Sequence, residues 1–385
     1  MVNESLCNDW EQRKLGELGE IITGNTPKTS ETENYNEYGI PWITPTDIHS
    51  SYTQTSSRRL SDIGEKKAKL APANSLLITC IASIGKNTLV QQRSAFNQQI
   101  NALIPINNDP SFLLAASYNW SKRMINLAGQ TSMQIVNKNT FSRISTKIPS
   151  LSEQQVIGAF FAKLINLTTL QQRKLELLKQ LKKGFLQKLF ADEDEKQPVL
   201  RFEGFTGDWE QRKLGEVTSF TNGRAYKQSE LLEKGKYPVL RVGNFYTNDD
   251  WYYSNLELPA EKYANKGDLL YTWSATFGPH IWDGNKVVYH YHIWKVNINR
   301  NITKNFLYQF LIEDRDNLLN NTNGSTMIHI TKKNMESKNI YLPIIDEQRL
   351  VGNFLKKLDN FITLQQSKLD KLFLLKRFLL QQMFI

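Results

Sequence analysis

The residues best able to do chemistry in this chain are few and thinly clustered. His290-Tyr291-His292, with His280 upstream, sets two imidazoles two positions apart, on one face of any strand they occupy. That spacing suits two zinc ligands, but no third is evident, and the matching stretch of the first half, Phe96-Asn97-Gln98, supplies none. Gly85-Lys86 looks like the end of a phosphate loop until Cys80 is found where the loop needs glycine, and no G-x-G-x-x-G is present. Glu336-Ser337-Lys338 has a nuclease-like spacing, though such tripeptides recur by chance. Cys7 and Cys80 are too few for a disulfide framework or a four-thiolate metal site. No catalytic constellation emerges. The chain is expected to bind rather than catalyse, with no metal or cofactor of its own.

Composition bounds what could position such residues. At 385 residues the chain has room for two or three domains, each with its own core. An aromatic content of 11%, with eight Trp, argues against disorder. No apolar run reaches the roughly 18–20 residues of a membrane span, and Met1 to Lys14 lacks the apolar centre of a secretory leader. A soluble, cytoplasmic protein is expected. The net charge of +10 invites a polyanionic partner.

The organising feature is duplication. Asp9-Trp-Glu-Gln-Arg-Lys-Leu-Gly-Glu17 returns residue for residue as Asp208–Glu216. Further along, Pro149, Glu153, Gln154, Gly158, Phe160, Lys163 and Leu164 return as Pro343, Glu347, Gln348, Gly352, Phe354, Lys357 and Leu358, 194 residues later (149 to 343). Between these anchors the match is sparse. The segmentation is therefore 1–150 and 209–343 for two globular domains, 151–190 and 344–385 for two long helices, and 191–208 for a linker. Short apolar runs such as 76–81, 268–273 and 286–289, broken by Gly, Pro and Asn, predict mixed or mainly antiparallel sheets, hence an α+β fold. Asp109-Pro110 opens a helix through Trp120.

In the first long helix, Phe160, Leu164, Leu167, Gln171, Lys174, Leu178, Leu181 and Phe185 step by alternating fours and threes; Phe354, Leu358, Phe361, Gln365, Lys368, Leu372, Leu375 and Leu379 do so in the second. These are heptad seams, and each needs a partner. The simplest partner is the other copy, antiparallel, with Phe160, Leu164, Gln171, Leu178, Phe354, Leu358, Gln365 and Leu372 as pairing residues and Gln171 facing Gln365. Ser152-x-x-Gln155 reads as the first helix's capping box and Asp346 as the second's N-cap. The helices carry +5 and +3 of the net charge, on Lys and Arg faces such as Lys182-Lys183 that suit solvent, a nucleic-acid backbone or an acidic partner.

Loops rich in hydroxyl, amide and basic side chains are the candidate recognition surface. In the first half they offer Asn25, Thr26, Lys28, Thr46, Lys86, Ser132 and Gln134; in the second, Arg224, Tyr226, Lys227, Arg241, Asn244, Thr276, Ser325 and Thr326. Arg, Asn and Gln suit base edges, and Lys and Arg suit phosphates.

The doubled frame of Trp-x-x-x-x-Leu-Gly-Glu (from Trp10 and Trp209), a divergent domain, Pro-x-x-x-Glu-Gln and a long Leu/Lys-rich helix resembles the specificity (S) subunit of type I restriction–modification systems. The segment Pro198–Phe205 ahead of Trp209 resembles the opening of that family's second half. The resemblance implies two target-recognition domains, each reading one half of a bipartite, asymmetric site on double-stranded DNA. It implies paired helices that set the spacer and dock two methyltransferase (M) subunits using S-adenosylmethionine. Restriction (R) subunits, with ATP and Mg, would join for cleavage. Rival readings are a coiled-coil scaffold with protein- or carbohydrate-binding heads, and a stand-alone adenine methyltransferase. For the latter, Asp109-Pro110-Ser111-Phe112 approaches the Asp-Pro-Pro-Phe element that holds a flipped adenine but lacks its second Pro.

Overall fold

The structure is a computed structural model that describes residues 10–128, 135–191, 195–246, 248–274, 276–321 and 330–384. Two long helices, Leu151–Leu189 and Ile345–Met383, run 39 residues each, about 58 Å at 1.5 Å per residue. Neither, nor any other helix among the described residues, is apolar enough to cross a membrane. The chain forms two compact units, the first of them not contiguous in sequence: 1–173 joins 367–385, and 174–366 forms the other.

In the first unit a five-stranded sheet runs in the order Gly19–Thr23, Ile100–Pro105, Leu76–Thr79, Asn87–Val90, Tyr52–Thr53, antiparallel except for its last pair. A four-stranded sheet of Arg59–Leu60, Tyr35–Ile43, Ser94–Phe96 and Leu70–Ala71 completes the domain. The second unit has matching sheets. Thr218–Asn222, Ile293–Ile298, Leu269–Thr272 and Gly278–Ile281 form one, and Tyr252–Ser254, Tyr237–Leu240, Val287–Tyr289 and Tyr263–Ala264 the other. The sheets are mixed, as the turn-broken apolar runs predict, because one pair in each second sheet is parallel.

The repeated motifs are the joints of this frame. Glu11–Lys14 pairs antiparallel with Ser145–Ile148, and Glu210–Lys213 with Asn339–Leu342, so each Trp-led segment zips onto the strand that feeds its long helix. The Gln of each Glu-Gln pair is buried and fully used. Gln154 accepts from the Asp109 amide (3.0 Å) and donates to Asn108 Oδ1 and Pro149 O; Gln348 accepts from the Thr303 amide (2.9 Å) and donates to Asn301 O and Pro343 O. Each glutamine thus ties the domain's own helix, Pro110–Ala128 or Lys304–Asn321, to the long one. Four residues on stand Gly158 and Gly352. A Cβ on Gly158 would lie 2.1 Å from Asp109 Oδ1, and one on Gly352 2.6 Å from the Phe306 nitrogen, so only glycine lets the helices touch. Asp109 caps its helix through the Phe112 amide (2.8 Å).

The helix ends differ from the sequence expectation by a residue or two. Ser150, not Ser152, accepts from Glu153 N at the first long helix, and the second starts at Ile345, leaving Asp346 in its first turn paired with Arg349. A larger correction concerns the seam. Phe160 is 46% exposed while its neighbour Phe161 is 1% exposed; Leu167 and Leu181 are also exposed. The inner row is Ile157, Phe161, Leu164, Thr168, Gln171, Leu175, Leu178, Lys182, Phe185 and Leu189. In the second helix Val351, Leu355, Leu358, Ile362, Gln365, Leu369 and Leu372 lie inward, while Phe361 and Leu375 face out.

Within each unit the helix segments run antiparallel. In the first, Phe161 meets Phe384 with ring centroids 5.8 Å apart, and Phe384 also contacts Trp10 and Phe112. In the second, Phe185 meets Phe354 at 4.9 Å and Lys182 bonds Asp359 at 2.5 Å. Each domain therefore rests on the start of one long helix and the end of the other.

Candidate nucleic-acid interface

The recognition loops hang on a backbone that both halves share. After Gly19–Thr23 in one domain and Thr218–Asn222 in the other the chain passes Gly24 or Gly223 so closely that a Cβ would lie 2.2 Å from Asn97 O in one and 2.3 Å from His290 O in the other. The next residue's amide then bonds across, Asn25 to Phe96 O and Arg224 to Tyr289 O, both at 3.0 Å. From this common position the side chains diverge. Asn25 donates to Lys67 O (2.7 Å) and accepts from the Lys69 amide (2.6 Å). Arg224 makes a two-pronged bond to Glu230 (2.9 and 2.8 Å) and lies over the Tyr226 ring. That fork, and the Lys227 amide, hold the Glu230 carboxyl down at about 2. Burial pushes the Tyr226 phenol up to about 12, and its hydroxyl finds no partner among the described residues.

Other sequence candidates are also occupied within the protein. Thr26 bonds Gln98, and Thr46 bonds Thr44, whose hydroxyl reaches Asp47. Asn244 accepts from the Arg241 amide and donates to Asn248 O and Asp250 O. Arg241 donates to Asp250 O and stacks its guanidinium 4.3 Å from the Tyr252 ring centroid, with Nε buried and without a partner among the described residues. These residues shape the loops. Lys28, Lys86, Lys227 and Thr276 are solvent-exposed; Lys86 touches Pro45 O at 3.3 Å and Lys28 is 3.4 Å from Glu31. Ser132, Gln134, Ser325 and Thr326 lie outside the described residues.

Two features escaped sequence reasoning. In the first unit a cleft of about 620 Å³ is lined by Thr29, Thr32, Asn36, Ser56, Arg58 and Arg59 among others. Arg59 is anchored to Gly39 O (2.8 Å) and Thr55, whereas the exposed Arg58 guanidinium has no bonded partner among the described residues. The Ser56-Ser57-Arg58-Arg59 run was the available signal. In the second unit, Trp273, His290, Tyr291 and His292 pack ring against ring, with Trp273 and His292 5.0 Å apart and Tyr291 and His292 3.9 Å apart. His280 stands apart, stacked on Phe245 at 4.0 Å and bonded to Tyr246. Burial, then Arg315, holds its imidazole near 4; burial, then His292 and Arg241, does the same for His290. The rings of this cluster meet at tilted and edge-on angles, and among the described residues no group of three metal-binding side chains assembles.

Comparison with known proteins agrees with this doubled plan. The specificity subunit of the type I restriction enzyme HindI of Haemophilus influenzae is 34% identical over 166 residues, 41% of this chain and 35% of that protein. The MjaIX specificity subunit of Methanocaldococcus jannaschii is 25% identical over 252 residues, 61% of this chain and 57% of that one. The chain thus spans between a third and three fifths of these two relatives. A third, the MjaVIII specificity subunit of the same organism, is 22% identical over 394 residues, 94% of this chain and 89% of that one. Among solved structures, the S subunit of a type I restriction–modification system from M. genitalium has a TM-score of 0.67 at 17% identity, covering 100% of this chain and 98% of that one. At that identity the likeness is one of fold. The model of the type I restriction modification DNA specificity domain matches twice, over residues 8–180 and 206–373, and the chain belongs to that family.

Proposed function

We propose that this chain is the non-catalytic, sequence-reading subunit of a type I restriction–modification complex. Each domain reads one half of a bipartite, asymmetric duplex site, and the long helices set the spacing between the halves. The observation that carries this reading is a frame preserved to the hydrogen bond, as at Gln154 and Gln348, holding loop surfaces that share almost nothing. Like scaffolds with unlike faces suit two unlike half-sites. Arg58, Lys28, Lys86, Lys227 and Thr276 have the exposure to meet DNA, and the Trp273–Tyr291–His292 cluster offers apolar rings to base or sugar edges. Arg224, Asn25 and Asn244 act by holding their loops.

The helices carry a further apolar row that their own pairing leaves uncovered: Val156, Phe160, Leu167 and Leu170 in the first unit, Phe361 and Leu364 in the second. Such rows, one per unit, suit two methyltransferase subunits, which would supply S-adenosylmethionine chemistry, with ATP- and Mg-dependent restriction subunits joining the complex. The chain works in the cytoplasm, where that DNA lies. The test is to sequence methylated adenines in a host expressing this chain with its methyltransferase subunit. One bipartite motif with a fixed gap is expected; methylation of unpaired single motifs, or none, overturns the reading.

A further inference from the structure

The two halves differ at one point inside the helix pair. Lys182 of the first long helix and Lys376 of the second are counterparts at the 194-residue offset, and both occupy the inward-facing row. Lys182 is matched: its amine bonds Asp359, whose other oxygen accepts from Gln309 at 2.6 Å. At the same offset, Asp359 corresponds to Ile165 and Gln309 to Ala115. The first unit has thus kept the lysine and lost both its partners. Lys376 lines a mainly apolar cavity of about 260 Å³, open to solvent on one side, with Ala115 and Ile165 in its wall beside Leu114, Phe161, Phe373 and Leu380, and with Ser51, Asn87 and Tyr118 as its uncharged polar members. Among the described residues nothing bonds its amine and no acid lines the cavity; Arg377 adds a second positive charge. Burial pushes the Lys376 amine below a lysine's ordinary value.

An ammonium in an apolar recess is costly unless a counter-charge and hydrogen bonds reach it. Among the described residues no acid stands in this cavity, so a counter-anion for the amine would come from outside the chain. A sealed apolar cavity of about 150 Å³ takes up benzene, so the space here fits a ring or short chain with a carboxylate attached. We infer that the Lys376 cavity is a binding site for a small apolar monocarboxylate, its carboxylate on the Lys376 amine and its stem against Ile165, Phe161 and Leu380. The ligand would replace what Asp359 and Gln309 supply in the other half. The site owes nothing to DNA recognition, and its test is independent of that reading.

Calorimetric titration of the full chain with phenylacetate is the direct experiment. One saturable site per chain is expected, with affinity at least about tenfold above that for 2-phenylethanol, the uncharged analogue. Lys376→Met, close in volume, should cut phenylacetate affinity about tenfold or more while circular dichroism stays unchanged. Ile165→Asp, which rebuilds the internal carboxylate, should compete the ligand out; the methionine variant stands alone should the aspartate variant fail to fold. The proposal falls if no saturable binding is seen up to about 10 mM, or if acid and alcohol bind alike. It also falls if Lys376→Met leaves acid binding unchanged. Loss of methyltransferase-subunit assembly in Lys376→Met, with phenylacetate never binding, would likewise overturn it and assign the amine to a partner's acidic side chain.

Discussion

Side chains that look suited to reading DNA divide, at the scale of single residues, into those with unoccupied polar atoms and those without. Arg224 has both prongs on Glu230, so Arg224→Ala should lower the stability of its loop by about 1 kcal/mol and weaken DNA binding evenly across sequences. Arg58→Ala should instead relax base preference in one half-site by about 1–3 kcal/mol, measured by competition binding over randomised sites. An even loss across all sites would make Arg58 a phosphate contact. Titration gives a second prediction. His280 and His290 hold out against protonation until about 4 in the folded protein, whereas the unfolded chain binds those protons near 6.5. The unfolded state therefore takes up more protons between those values, and stability falls as the pH drops through that window. Urea midpoints read by tryptophan fluorescence should decrease from pH 7 to 5, and His280→Gln should flatten the slope. These distinctions were not legible in the sequence, since whether an Arg is occupied depends on a neighbour such as Glu230, whose placement only the fold decides.

At the scale of elements, the heptad spacing and one of its two positions were legible, since Leu164, Gln171, Leu178 and Phe185, like Leu358, Gln365 and Leu372, do lie inward, whereas the other position was read one residue early. Doublets such as Phe160-Phe161, Leu177-Leu178, Phe354-Leu355 and Phe361-Ile362 let two parallel rows of alternating threes and fours run along each helix. The row that turns inward carries Thr168, Lys182 and Lys376, polar residues that make it look the poorer core. Lys182 is thus an inward member bonded to Asp359 rather than part of a basic outer face, which leaves Lys183 as the exposed half of that pair. The phase is testable by a neighbouring pair. Phe161→Ala should cost about 3–5 kcal/mol in denaturant unfolding, and Phe160→Ala under about 0.5. If Phe160 belongs to a docking row, its alanine variant should still lose methyltransferase-subunit affinity in analytical ultracentrifugation. The joints were legible as motifs because each makes a specific demand: a glutamine with three bonds, a glycine under a helix end.

For the whole molecule, duplication was the most readable property, and non-contiguity the least. Repeats announce two units, but nothing in a linear string says that residues 367–385 belong with the first and 174–190 with the second. The arrangement has a measurable outcome. A chain ended after residue 190 should leave Phe161, Phe112 and Trp10 without the Phe384 and Leu380 that cover them. Such a fragment should aggregate or associate with a second copy through its uncovered seam, whereas a monomer as stable as the full chain would contradict the packing.

Phe384 follows the last member of its bed of Trp10, Phe112 and Phe161 by 223 residues (161 to 384). At roughly 5–20 residues per second, a ribosome needs about 10–45 s to pass from one to the other. Throughout that interval the nascent N-terminal half presents an open aromatic trough, which makes it a natural client for a holding chaperone and sets translation speed against aggregation in this protein's biogenesis.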